Sequence, residues 1–173
     1  MKKIFMTLVA AVIAVSASAQ VYVGGGVGVS AIDADGFDVT SYKLVPEIGY
    51  NLDNDWAVGI AFGWEGATKG APKTIEVNPY ARYTFVHSKL VNVFVDGGVA
   101  YKHAYNADND EDLFSIGFKP GISVNLSDKL SFVTHVGFLG WEQDKDNAAD
   151  TKVSTWSAGL EGNNITFGLY YNF

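Results

Sequence analysis

The sequence predicts an all-β fold, an eight-stranded antiparallel up-and-down transmembrane β-barrel, on three observations. Large apolar residues alternate with small or polar ones in segment after segment, the period of a strand with one apolar face. The segments are joined by connections that are alternately long and short, the habit of barrels that span a membrane. The last segment, Asn164–Phe173 (NITFGLYYNF), alternates to the final residue. A terminal strand this apolar is an aggregation hazard unless both its edges are paired, which asks for a closed ring.

The opposite end of the chain says which solvent the ring faces. Met1 to Ala19 reads as a secretory signal peptide: Lys2 and Lys3 are the basic region, Ile4 to Val15 the apolar region, and Ala17-Ser18-Ala19 a small-residue cleavage site before Gln20. The apolar run is too short for a transmembrane helix, which needs about 20 residues. No other stretch approaches that length, so any membrane residence of residues 20–173, one domain by size, is as strands. Cysteine is absent, which argues against a disulfide-stapled extracellular module. Removing Lys2 and Lys3 takes the formal charge from −7 to −9, and an acidic chain without a basic cluster excludes nucleic acid as the expected partner. Aromatics at 14% alongside 19 glycines suit a tightly filled barrel.

The strands follow in order. The first, Val21–Ala31, has valines on one face and is nearly bare on the other. Its GGGVG run is no dinucleotide loop, because Val29 stands where GxGxxG needs a third glycine and no helical pattern follows. A polar loop from Asp33 to about Ser41 leads to the second strand, Tyr42–Leu52, with Lys43 and Glu47 on its polar face. Asp53-Asn54-Asp55 is a tight turn. The third strand, Trp56–Trp64, carries a tryptophan at each end of its apolar face. Trp56 and Trp64, with Tyr42 and Tyr101, are candidates for two interfacial girdles. Glu65–Thr74 is a polar loop.

The fourth strand, Ile75–Val86, turns Glu76, Asn78, Tyr80 and Arg82 inward, and His87-Ser88-Lys89 follows as a short turn. The fifth, Leu90 to about His103, faces Phe94, Asp96 and Lys102 inward; an acidic loop runs from Ala104 to Asp112. The sixth, Leu113–Leu126, faces Lys119 inward and ends at the turn Ser127-Asp128-Lys129. The seventh, Leu130 to about Glu142, has the least clean alternation: Val136 and Phe138 are expected outward, Val133, His135 and Leu139 inward. The eighth closes the chain, with Val153–Leu160 able to extend it beyond the membrane. Pro46, Pro79 and Pro120 should each mark a bulge or a missing ladder bond.

Periodicity does not say which face is out, and a soluble lipocalin-like barrel would carry the apolar face inward. The charged faces of strands two, four, five and six, the girdle-like tryptophans and the apolar strand ending at Phe173 favour the membrane orientation.

On these residues the chain resembles the small eight-stranded outer-membrane barrels of the OmpX and OmpA transmembrane-domain type. Its SASAQ and terminal FGLYYNF look particularly like Bacteroidetes barrels of the porin-family or outer-membrane β-barrel domain kind. The resemblance covers the mature chain. It implies a place in the Gram-negative outer membrane, with lipid and lipopolysaccharide as surroundings and the barrel assembly machinery as partner during biogenesis. Phe167, Leu169, Tyr171 and Phe173, with Ile165, match the C-terminal assembly signal that this machinery reads. Two departures from that type are expected: a barrel without a periplasmic peptidoglycan-binding domain, and modest loops.

An interior of eight strands is just wide enough for side chains to fill it, and charges there must pair. Glu47, Arg82, Asp96 and Lys119, near mid-strand, are therefore expected to form a salt-bridge network, with Lys43, Glu76 and Lys102 further along the lumen and Tyr80 and His135 adding hydrogen bonds. No serine–histidine–carboxylate or comparable catalytic pattern accompanies His87, His103 or His135, so no enzyme and no cofactor is expected. The run Asp108-Asn109-Asp110-Glu111-Asp112 lacks the glycine and distal glutamate of an EF-hand loop and reads as solvated charge, so no metal is expected. The expected role is a monomeric barrel, structural or adhesive at the cell surface, with a filled lumen. The alternative is a small porin passing ions or small solutes. A lipid-modifying enzyme is the third class.

Overall fold

In the computed structural model, which describes residues 20–34, 37–67, 73–105, 110–146, 151–159 and 166–173, every regular element is a strand. They are β1 (Val21–Ala34), β2 (Phe37–Asn51), β3 (Trp56–Ala67), β4 (Lys73–Val86), β5 (Val91–Tyr105), β6 (Asp110–Asn125), β7 (Leu130–His135), β8 (Phe138–Asp146), β9 (Thr151–Gly159) and β10 (Thr166–Asn172). The pairings run β5-β4-β3-β2-β1-β10-β7-β6, and β5 pairs with β6 to close the ring. β7 and β8 lie end to end along β6, and β9 pairs with β8 as β10 pairs with β7. Ten segments therefore make the walls of a closed eight-stranded antiparallel barrel. The signal-peptide reading of residues 1–19 lies outside the described residues.

The inside is polar and the outside apolar, the inverse of a soluble domain. Glu47, Asn78, Arg82, Asp96, Ser115, Ser123 and Ser131 are buried, while Leu44, Phe62, Phe85, Phe118 and Leu169 are exposed. A lipocalin-like barrel is thereby excluded, because burying carboxylates while leaving phenylalanines out makes sense only with lipid outside.

One strand departs from the expected faces. The ladder of β6 steps from Phe118↔Leu139 on β8 to Gly121↔His135 on β7, three residues against four. The extra residue is a bulge at Val136-Gly137, where Gly137 has φ 76° and the Val136 amide donates to Pro120 O at 2.9 Å. A bulge moves the following side chains to the opposite face. Phe138 accordingly lines the lumen and Leu139 is exposed on the outside, reversing the expected parity. Pro120 thus lies at a bulge. Pro46 and Pro79 sit where one ladder lacks pairs while its register is kept: β2 pairs Leu44 with Trp64 and then Glu47 with Ala61, and β4 pairs Val77 with Tyr101 and then Tyr80 with Gly98.

The long polar loops are mostly strand. β1 pairs with β2 as far as Ala34↔Phe37, and β5 with β6 as far as Tyr105↔Asp110. The polar segments continue the ladders beyond the apolar band, where solvent on both faces removes the need for alternation. Asp110, Glu111 and Asp112 of the acidic run belong to β6, and Asp112 Oδ1 accepts from Tyr101 Oη and contacts His103 Nδ1, both at 2.7 Å. Asp108 and Asn109 lie outside the described residues. The other end of the barrel carries three tight turns, pinned by Asp53 accepting from the Asp55 and Trp56 amides and by Ser88 and Ser127 bonding within theirs.

Candidate functional site: the charge-paired lumen

At mid-height the lumen is closed by one layer of side chains. Arg82 on β4 reaches Asp96 on β5, its direct cross-strand partner, with Nε–Oδ1 at 2.7 Å and Nη2–Oδ2 at 2.8 Å. This is the parallel two-bond geometry that favours arginine over lysine. Arg82 Nη2 also lies 3.5 Å from Glu47 Oε1, and His135 Nε2 lies 2.8 Å from Asp96 Oδ2. Glu47 accepts from Tyr80 Oη on one oxygen and from Tyr170 Oη at 2.6 Å on the other, while Tyr22 Oη meets Tyr80 Oη at 2.6 Å. The guanidinium stands 4.0 Å from the centre of the Phe94 ring, whose edge meets His135. The buried charges are thus bonded on several sides, as their desolvation demands.

Glycine makes this layer possible. Tyr22, Tyr80, Phe94 and Tyr170 each lie directly across from a glycine on the next strand: Gly49, Gly59, Gly121 and Gly24. A Cβ on any of the four would run into the ring it faces. Each aromatic covers its bare neighbour and so lies flat enough to reach the axis, an arrangement known from aromatic–glycine pairs in sheets.

A second group of charges sits nearer the hairpin end. Glu76 lies between Lys43 at 3.8 Å and Lys119 at 3.9 Å, and Lys102 lies 3.7 Å from Glu65. With its amide turned to the orientation that satisfies both neighbours, Asn78 donates to Val99 O at 3.2 Å and accepts from Lys119 Nζ at 2.7 Å. Sequence reasoning put Lys119 with Glu47, Arg82 and Asp96. Lys119 is indeed directly across from Asp96, yet its ammonium bends to Glu76. Asp96 is already occupied by Arg82 and His135, and its burial leaves no room for a third cation. Above the closed layer these residues line a cavity of about 720 Å³ that also exposes Ser115, Glu142 and Phe138.

The profile of the family described as outer membrane protein beta-barrel domain matches residues 4–173. The chain belongs to that family. Its outer-membrane barrel resembles two solved structures in fold. Neisserial surface protein A is 14% identical with a TM-score of 0.59, over 90% of this chain and 98% of that one. The N-terminal β-barrel domain of Pseudomonas aeruginosa OprF is 13% identical with a TM-score of 0.57, again over 90% and 98%. Among curated proteins, none matches the chain.

On this outer-membrane barrel the expected girdle residues are exposed, and Tyr42, Trp56 and Trp64 pack against other aromatics. Trp64 meets Tyr42 edge-on at 5.6 Å, and Trp56 lies 4.8 Å from Tyr83. Tyr101 is exposed next to Phe114, its cross-strand partner, and Phe114 in turn touches Trp141 at 6.3 Å. Sequence reasoning passed over Trp141 and its partner Trp156, because the bulge in front of them hides their parity. Of the proposed assembly-signal residues, Phe167, Leu169 and Tyr171 are exposed on the outer face; Phe173 packs its ring on Tyr171 at 5.0 Å and donates its amide to Val21 O at 3.0 Å. Tyr22, Tyr170 and Phe94 are the lumen residues that sequence reasoning did not single out for the network. Their signal was an aromatic facing glycine in register.

Proposed function

We propose that the protein is a monomeric structural or adhesive barrel of the cell surface, non-enzymatic, with a lumen closed to solutes. The observation that carries this is the layer at Arg82, in which five charged or phenolic side chains bond across the axis from four strands. An interior of this strand number leaves little room for water once it is filled. The hairpins β1–β2, β3–β4, β5–β6 and β8–β9 face the outside of the cell in this reading, among lipopolysaccharide, and the tight turns face the periplasm. Cleavage before Gln20 and recognition of the closing strand by the barrel assembly machinery complete it. Each histidine has a structural partner, which supports a non-catalytic role: His87 with Asn54 O, His103 with Asp112, His135 with Asp96.

The cavity above the layer favours the second reading, a small porin, since half of the path is already open. Planar-bilayer conductance decides between them. The closed reading expects a silent bilayer for the wild type and discrete openings for Arg82→Ala, which removes the centre of the layer. Steady conductance by the wild type would overturn it in favour of the porin.

A further inference from the structure

The β8–β9 hairpin carries three cross-strand rungs on one face: Trp141↔Trp156, Gln143↔Ser154 and Lys145↔Lys152. The first rung shows which face this is. Trp156 is 81% exposed, and Trp141 meets the outward Phe114. Glu142 turns the opposite way, lines the cavity and accepts from Ser157 Oγ at 2.9 Å. Counting by twos, both lysines stand on the lipid side of the wall and Asp144 on the lumen side.

Each rung has its own chemistry. The tryptophans lie across from Ile116 and next to the Tyr101–Phe114 pair, so they continue the aromatic girdle, where indole rings sit at headgroup level. Above them the Gln143 amide donates to Ser154 Oγ at 3.4 Å, a neutral hydrogen-bonding rung. The third rung opposes two ammoniums, an arrangement that is destabilising in a ladder by itself. Among the described residues no ion pair reaches either lysine. Asp112, across from Lys145 on β6, uses Oδ1 for Tyr101 and His103, both at 2.7 Å. In a chain of formal charge −7, two directly opposed cations on the lipid side run against the overall balance.

From the membrane outward the face therefore presents aromatic rings, then an amide and a hydroxyl, then paired ammoniums. That is the order of acyl chain, glycerol or sugar hydroxyls and phosphate in a membrane lipid. We propose that the Lys145–Lys152 rung binds the phosphate of one outer-leaflet lipid, whose hydroxyl-bearing portion lies over Gln143 and Ser154 and whose upper acyl segment packs on Trp156. An anion between the lysines turns their repulsion into two charge-assisted hydrogen bonds. The lysine stems are long enough to bend toward the headgroup level. This rests on the outward placement of the hairpins in the reading above, and not on whether the lumen conducts.

The test releases the full folded barrel from mixed micelles of phosphatidic acid and phosphatidylcholine and counts its bound lipid by native mass spectrometry. The expected result for the wild type is one phosphatidic acid retained over phosphatidylcholine by about tenfold, the worth of a charge-assisted bond. The double variant Lys145→Gln, Lys152→Gln should lose that preference. Lys129→Gln, which removes the same charge from a tight turn at the other end of the barrel, should keep it. Heat-modifiable mobility reports that each variant is folded, whatever the conductance shows. Excess inorganic phosphate should leave the lipid in place. A wild type without preference, or a folded double variant that keeps it, would overturn the proposal. Displacement by inorganic phosphate would overturn the lipid and leave only an ion on the rung.

Discussion

The carboxylate of Asp96 takes both bonding nitrogens of Arg82, at 2.7 and 2.8 Å, from the position directly across the β4–β5 ladder. This pair is the centre of the closed layer, and its loss would leave Asp96 and Glu47 buried with one cation fewer. Removing one partner of a buried pair costs roughly 3–5 kcal/mol. Arg82→Ala should lower the urea stability of the folded barrel by about that amount. Arg82→Lys should recover less than half, because an ammonium lacks the planar fork. Equal stability of wild type and Arg82→Ala in reversible unfolding would show that the pair contributes nothing.

Gly59 lies under Tyr80, whose hydroxyl bonds Glu47. A methyl there displaces the ring and with it one support of the buried carboxylate. Gly59→Ala should therefore destabilise by roughly 1–3 kcal/mol, the usual cost of overpacking. At Gly28, among the described residues, the same substitution meets only Lys43 Cβ, at an ordinary 3.6 Å, and should be near neutral. Unfolding midpoints for the two variants measured side by side check the contrast.

Gly137 sets the faces of everything that follows it on β8. Its φ of 76° is costly for any residue with a Cβ, roughly 1–2 kcal/mol, so Gly137→Ala should fold with reduced stability. Deleting Gly137 should do far more: without the bulge, Leu139 would turn into the lumen and Glu142 out to lipid. Folding of both variants can be read from heat-modifiable electrophoretic mobility, and a deletion that folds as well as wild type would rule out this role for the bulge.

Phe173 ends the chain with its amide bonded to Val21 O and its ring on Tyr171. Phe173→Asp puts a charge at the rim of the lipid face and alters the last residue of the proposed assembly signal. The expected outcome is loss of the protein from the outer membrane, scored by surface labelling of cells. Normal surface levels would remove the signal role from this residue.

Much of this was legible from residue order alone, because lipid enforces alternation wherever a strand crosses it. The inward faces of Glu47, Arg82 and Asp96 and the outward faces of Phe62 and Leu169 follow from counting by twos. Three things were not legible. The bulge at Val136-Gly137 has no distinctive composition, so the count ran on past it and misplaced Phe138 and Leu139. The polar ends of β1, β2, β5 and β6 read as loops because alternation ceases where lipid does, although the ladder continues. The partner of Lys119 depended on competition, since Arg82 and His135 had filled Asp96 before a long, flexible ammonium could.

The ladder between β1 and β10 joins the two ends of the described chain, with Tyr22 across from Asn172. Its contacts have the greatest sequence separation in the molecule, so they carry the largest loop-closure entropy and are the slowest to form. Until they do, β1 and β7 each present a bare edge. A truncated chain lacking β10 keeps those edges permanently and has no way to end as a monomer, so strand addition from another copy becomes its lowest-energy outcome. The same final strand thus separates a finished molecule from an aggregation seed.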